Sequence, residues 1–285
     1  MSKSLIPELV DASPNRRSFL KKIGMATAAV GALSVATPHS AEAQTATEDA
    51  VLNFALNLEY LEAEFYTYAL NGTSITAYGI GIDGVANPGN PASGGTTSGG
   101  HMVNFSNNLV FSQAIGNQIA SDERAHVKLL RQVLGPLAIA KPNLNLNALG
   151  FGFGSQNEYL KLARIFEDIG VTAYAGAAGL LTTPAVITTA AQILAVEAEH
   201  ASTLRTQVAR LNIPTAPPLD GVDLLPPPSG SQLTYLSVNP ATGLPSLRTP
   251  GQVLFLAYGM QAGVSRGGFF PTGVNGAITM STASA

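Results

Sequence analysis

Glu123-Arg124-Ala125-His126 and Glu197-Ala198-Glu199-His200 decide the reading of this chain. Each contains Glu-x-x-His, and a spacing of three residues sets glutamate and histidine on one face of a helix. A single such pair is ordinarily a solvated stretch of helix. Residues 44–285 hold nine glutamates and three histidines, so a glutamate falls three places before a given histidine by chance about 4% of the time. Two such coincidences are roughly a one-in-a-thousand event, which makes the pair a motif rather than an accident.

Working outward, four segments carry helical period with few breakers: 47–71, 104–134, 155–182 and 185–211. The first has Thr47 as an N-cap ahead of Glu48 and Asp49 and stops at Asn71-Gly72. The fourth opens on Thr183-Pro184, a cap followed by proline in the first turn, and ends before Pro214. The Gly/Asn/Ser/Pro-rich stretch 72–103 reads as a surface loop. Residues 135–154 form a link that, at roughly 66 Å when extended, can run the length of a bundle.

The first helix offers Glu59, within Leu58-Glu59-Tyr60-Leu61-Glu62, and the third offers Glu167, within Ile165-Phe166-Glu167-Asp168. Both stand in apolar surroundings, where an unpaired carboxylate is costly. The Thr182-Thr183 turn lies about equally far from Glu167 and from the Glu197/His200 pair. An antiparallel hairpin therefore puts them at one level, roughly 23 Å from the turn. Tyr66 follows Glu59 at +7 and Tyr174 follows Glu167 at +7, an internal echo that suits two equivalent metals.

One glutamate from each of two helices plus Glu-x-x-His from the other two is the pattern of the ferritin-like di-iron and di-manganese carboxylate proteins. The chain resembles that superfamily over residues 47–211. The resemblance implies an all-α, ferritin-like four-helix bundle with one long crossover, and metal ligands Glu59, Glu123, His126, Glu167, Glu197 and His200. Four carboxylates balance two divalent ions, so a neutral cluster can sit in a dry core. Oxygen and imidazole ligation favours two iron or manganese ions over copper or zinc.

Around this set, Glu62 reads either as a further carboxylate beside the metals or as a surface ion pair. Its symmetry counterpart Gly170 would leave room for a small oxidant. Tyr66 and Tyr174 read as hydrogen-bond partners, radical sinks or core packing, His101 as a solvated loop residue, and Glu199 as facing away.

The run Leu52-Asn53-Phe54-Ala55-Leu56-Asn57-Leu58-Glu59-Tyr60-Leu61-Glu62-Ala63-Glu64-Phe65-Tyr66 is similar to the ferritin-like domain of plant desiccation-related proteins and their bacterial and fungal relatives. So are Arg248-Thr249-Pro250-Gly251-Gln252-Val253-Leu254 and Gly267-Gly268-Phe269-Phe270-Pro271-Thr272-Gly273-Val274-Asn275-Gly276 near the C-terminus. After residue 212 proline and glycine dominate, with a short helix expected over 249–260. Residues 213–285 are thus expected to be an irregular extension packed on the bundle of residues 44–212.

Residues 1–43 read as a twin-arginine signal peptide. Arg16-Arg17-Ser18-Phe19-Leu20-Lys21 precedes the apolar run Ile23 to Ala36, and Ala41-Glu42-Ala43 stands before Gln44. A membrane anchor is the rival reading, but Gly24, Thr27, Gly31 and Ser34 break a run already short of the roughly 20 residues needed to span. The expected location is periplasmic or secreted, with no stable membrane span after cleavage.

The cleaved chain would carry ten basic against fifteen acidic residues, with no basic stripe for nucleic acid. There is no cysteine, hence no disulfide, no thiolate ligand and no rubredoxin-like route for electrons. That favours peroxide disproportionation or ferrous-iron oxidation, with a small oxidant or ferrous iron as partner. The rival is a non-catalytic, desiccation- or stress-related protein whose metals brace the bundle. Cage storage suits the long loops and tail poorly, while a homo-oligomer is compatible with either reading.

Overall fold

The computed structural model describes residues 47–86, 90–105, 110–215 and 217–284. The expected signal peptide and its cleavage point before Gln44 lie outside them. Helix α1, Glu48–Asn71, starts where Thr47 accepts from the Ala50 N–H and stops at Gly72, whose φ of 68° places it in the left-handed region. It is apolar nearly all round, and most of its residues are buried, as a central helix requires.

Helix α2 spans Val110–Leu134, six residues later than the expected start, with 106–109 outside the described residues. Helix α3, Gln156–Ala177, is capped by Ser155 and yields to a 3-10 turn, Ala178–Leu180, before the expected end at 182. Helix α4 is Pro184–Arg210. The expected Thr183 cap makes no side-chain cap bond. Instead Glu48 of α1 accepts the Thr182 and Thr183 backbone N–H groups at 2.6 and 2.7 Å, so an acid at one helix start ties down the turn before another.

The helices pack as two antiparallel hairpins, α1 with α2 and α3 with α4, joined by contacts of α1 with α3 and of α2 with α4. The expected surface loop is more ordered than its composition suggested. It carries strands β1, Gly84–Val85, β2, Pro91–Ala92, and β3, Thr97–Ser98. Strand β3 pairs in parallel with β4, Leu144–Asn145, in the crossover. Val85 also bridges to Ile139. A Cβ at Gly84 would lie 2.3 Å from the Ala138 carbonyl, so only glycine permits that approach.

The C-terminal residues run over α1 and α3. Among the described residues their one helix, α5, is Pro250–Ala257, four residues shorter than expected and held by a Thr249/Gln252 capping box. Fully buried Arg205 of α4 bonds Asp168 of α3 at 2.5 Å and the Leu224, Thr234 and Tyr235 carbonyls of the extension. Arg248 likewise joins Asp220 and Thr172. Phe65, Phe153, Tyr159, Phe166 and Phe269 form an aromatic core between α1, α3 and the extension. Among the described residues, no helix is long and apolar enough to cross a membrane.

Candidate metal centre

All six expected ligands meet at one level of the bundle. Central helices α1 and α3 supply Glu59 and Glu167; α2 and α4 supply Glu123/His126 and Glu197/His200. The four glutamates are fully buried and the histidines nearly so. His126 Nδ1 lies 3.3 Å from Glu59 Oε2, 3.2 Å from Glu123 Oε2 and 3.7 Å from Glu197 Oε1. His200 Nδ1 lies 3.1 Å from Glu123 Oε1 and 3.3 Å from Glu167 Oε2.

The donor atoms fall into two quartets, Glu59/Glu123/His126/Glu197 and Glu123/Glu167/Glu197/His200, each with its atoms within 4.8 Å of one another. Glu123 and Glu197 belong to both. Each quartet thus has one shared pair of carboxylates and its own glutamate and histidine, an arrangement suited to two ions bridged by two carboxylates.

The cluster's polar atoms fit cations. Glu59 Oε2, Glu123 Oε1, Glu167 Oε2, both Glu197 oxygens and His200 Nδ1 are buried with no hydrogen-bond partner. The His200 Nδ1 and Glu123 Oε1 atoms are close, yet not aligned as donor and acceptor. An unsatisfied buried polar group costs about 1–3 kcal/mol, so six converging on one point are explained by something they jointly hold.

Electrostatics say the same. Burial lowers both imidazoles, but the facing Glu59 and Glu123 for His126, and Glu167 and Glu123 for His200, outweigh it and push each up to about 12. Burial and neighbouring carboxylates raise Glu197 well above the usual range. Glu167 is raised by burial despite the opposing His200 charge. Burial also disfavours ionised Glu59, yet the facing His126 charge and the Tyr174 hydrogen bond hold it low.

The tyrosines cross over. Tyr66 of α1 donates to Glu167 of α3 at 2.5 Å, and Tyr174 of α3 donates to Glu59 of α1. Each phenol therefore fixes the carboxylate of the opposite helix. Burial and the adjacent carboxylates push both phenols well above their ordinary range.

Glu62 is buried rather than in a surface ion pair. Burial, then the charges of Glu197, Glu123, Glu167 and Glu59, drive its carboxyl well above the usual range. The space left by Gly170 is filled, because a Cβ there would lie 2.1 Å from Glu197 Oε2. Gly170 makes room for a carboxylate where an oxidant was expected. Glu199 and His101 are exposed as expected, although the His101 ring also packs 5.4 Å from Phe153.

Asp122 was not singled out in the sequence. Its Oδ2 lies 3.2 Å from His200 Nε2, which turns Nδ1 inward. The acidic residue directly before Glu123 was the available signal. Over α2 and α4 a groove of about 460 Å³ opens onto both histidines and is rimmed by Asp122 and Glu199.

A family profile described as the ferritin-like domain matches residues 47–210. The chain belongs to the ferritin-like domain family. It is also similar to the desiccation-related protein PCC13-62 of Craterostigma plantagineum, 29% identical over 172 residues, covering 54% of this chain and 51% of that protein. The match thus spans about half the length of that relative.

Proposed function

We propose that this ferritin-like protein is an exported stress-protective di-metal carboxylate protein, holding two iron or manganese ions and acting on oxygen, peroxide or ferrous iron. The sharing of Glu123 and Glu197 between two buried quartets carries this reading. Glu59 and His126 would complete one position, Glu167 and His200 the other.

When bound, the metals would supply a site that binds and orients the oxidant and changes valence. The chain's own residues do the rest. Tyr66 and Tyr174 hold the unshared carboxylates in place, and Asp122 fixes the His200 ring. The acidic rim of the α2/α4 groove favours cations over anions, and the aromatic core keeps water from the α1/α3 side.

The name of the plant relative supports a role in stress. Export rests on the Arg16-Arg17 and Ala41-Glu42-Ala43 signals; protein found only inside the cell would refute it, and exported protein whose intact mass retained residues 1–43 would refute the cleavage. The functional test is peroxide loss and ferrous oxidation by metal-loaded protein, beside its melting temperature with and without metal. Turnover supports the proposal. A rise in melting temperature with neither activity would leave the bracing role, which the convergence of all four helices on one cluster favours.

A further inference from the structure

Helices α1, α3 and α5 enclose a second cavity, of about 40 Å³, on the opposite face of the bundle from the α2/α4 groove. Its walls include Leu58, Leu61, Ile169, Val253, Leu256 and Phe269. Glu62 and Gly170 lie at its inner end. Glu62 is 6% exposed, and its carboxyl has no hydrogen bond to any described residue. The Gly170 Cβ position would be 2.1 Å from Glu197 Oε2 and 3.6 Å from Glu62 Oε1. The missing side chain thus leaves Gly170 and Glu62, and no bulkier group at that position, between the cavity and Glu197 of the cluster.

Size and lining select the occupant. One water needs about 10–15 Å³, so the space takes a molecule of two or three heavy atoms. A ferrous ion or any other strongly hydrated species would surrender its water shell to aliphatic walls. Hydrogen peroxide would find one unengaged polar group, Glu62, since Tyr174 already donates to Glu59. An uncharged apolar diatomic loses nothing by entering. We infer that this cavity is a dioxygen site feeding the metal centre from the α1/α3 face, so that cations and oxidant arrive by different routes. The destination rests on the di-metal reading; occupancy of the cavity by a gas does not. The extension acquires a role as well, because α5 forms one wall.

Xenon is the probe, used on crystals of the full mature chain at measured metal content. It should bind between Ile169 and Leu256 in the wild type and be lost in Ile169→Phe, which puts a ring into the space. Leu58→Phe, at a second half-buried wall position, serves if the first variant does not fold, and the wild-type arm needs neither. In ferrous oxidation, the dioxygen concentration giving half the maximal rate should rise about tenfold in the filled variant, equivalent to about 1.4 kcal/mol. The ferrous concentration for half rate should stay put. Xenon absent from a protein that oxidises ferrous iron, or an unchanged dioxygen dependence in the filled variant, overturns the inference and leaves the functional reading standing. Xenon bound in a metal-loaded protein with neither ferrous oxidation nor peroxide loss upholds the gas site and sinks that reading.

Discussion

Replacing Gly170 by alanine adds one methyl group against Glu197. The new Cβ would stand 2.1 Å from Glu197 Oε2, whereas ordinary contact begins at 3.4 Å, so the carboxylate must retreat by about 1.3 Å. In a bridging ligand that displacement removes one oxygen from the pair of positions it serves. Overpacking of this kind costs about 1–3 kcal/mol, which as a binding penalty is about 5- to 150-fold in metal affinity. In metal-free protein Glu197 is free to turn aside, and alanine in mid-helix gains about 1 kcal/mol over glycine. The two states should therefore respond with opposite sign: metal-free Gly170→Ala as stable as wild type or more so, and the metal-dependent gain reduced. Urea unfolding with and without chelator, together with metal titration, reads both. Gly179→Ala, with nothing within 4 Å of its Cβ, is the control. Two metals per chain at unchanged affinity in Gly170→Ala would refute the argument.

Tyr66→Phe and Tyr174→Phe should each lower metal affinity by about 10- to 100-fold with helix content unchanged, since each removes the hydrogen bond that orients a carboxylate ligand; calorimetric metal titration is the check. Arg205→Met should cost about 3 kcal/mol, because Asp168 keeps Arg164 at 3.2 Å but loses its closer partner. Limited proteolysis should then cut the extension sooner than in wild type. In metal-free protein His126 and His200 lie far above their unfolded values, so their contribution is full below about pH 6.5 and is lost as pH climbs through about 12. Raised Glu62, Glu167 and Glu197 likewise contribute in full below about pH 4.5 and lose that contribution as pH rises through their folded values. Metal must displace these protons, so the melting-temperature gain on adding metal should grow from about pH 5 to about pH 8. A gain that shrinks over that range in paired melts would contradict it.

The convergence of these six residues was legible because helical geometry turns spacing into direction. Glu123/His126 and Glu197/His200 needed only i, i+3, and Glu59 and Glu167 stood out as acids in apolar runs. Relations between helices were not legible. The +7 spacing of Tyr66 and Tyr174 suggested partnership, yet each phenol reaches the opposite helix's glutamate, which depends on how α1 and α3 cross. Gly170 was read as space for a small oxidant, but Glu197 of α4 fills it. The loop 72–103 hid its pairing with the crossover because two-residue strands leave no period to detect. Arg205 and Asp168 gave no sign of joining the extension, since their spacing from each other spans a whole hairpin.

We propose that Glu59, Glu123, His126, Glu167, Glu197 and His200 hold two metal ions, with Glu123 and Glu197 serving both. Elemental analysis of protein loaded in the cell tests it most directly, on wild type, Glu59→Ala and Glu197→Ala. We expect about two iron or manganese ions per wild-type chain, about one in Glu59→Ala, where the Glu167/His200 quartet is intact, and fewer still in Glu197→Ala. Well-folded wild-type protein with a metal content near zero, or Glu197→Ala that retains both ions, would contradict it.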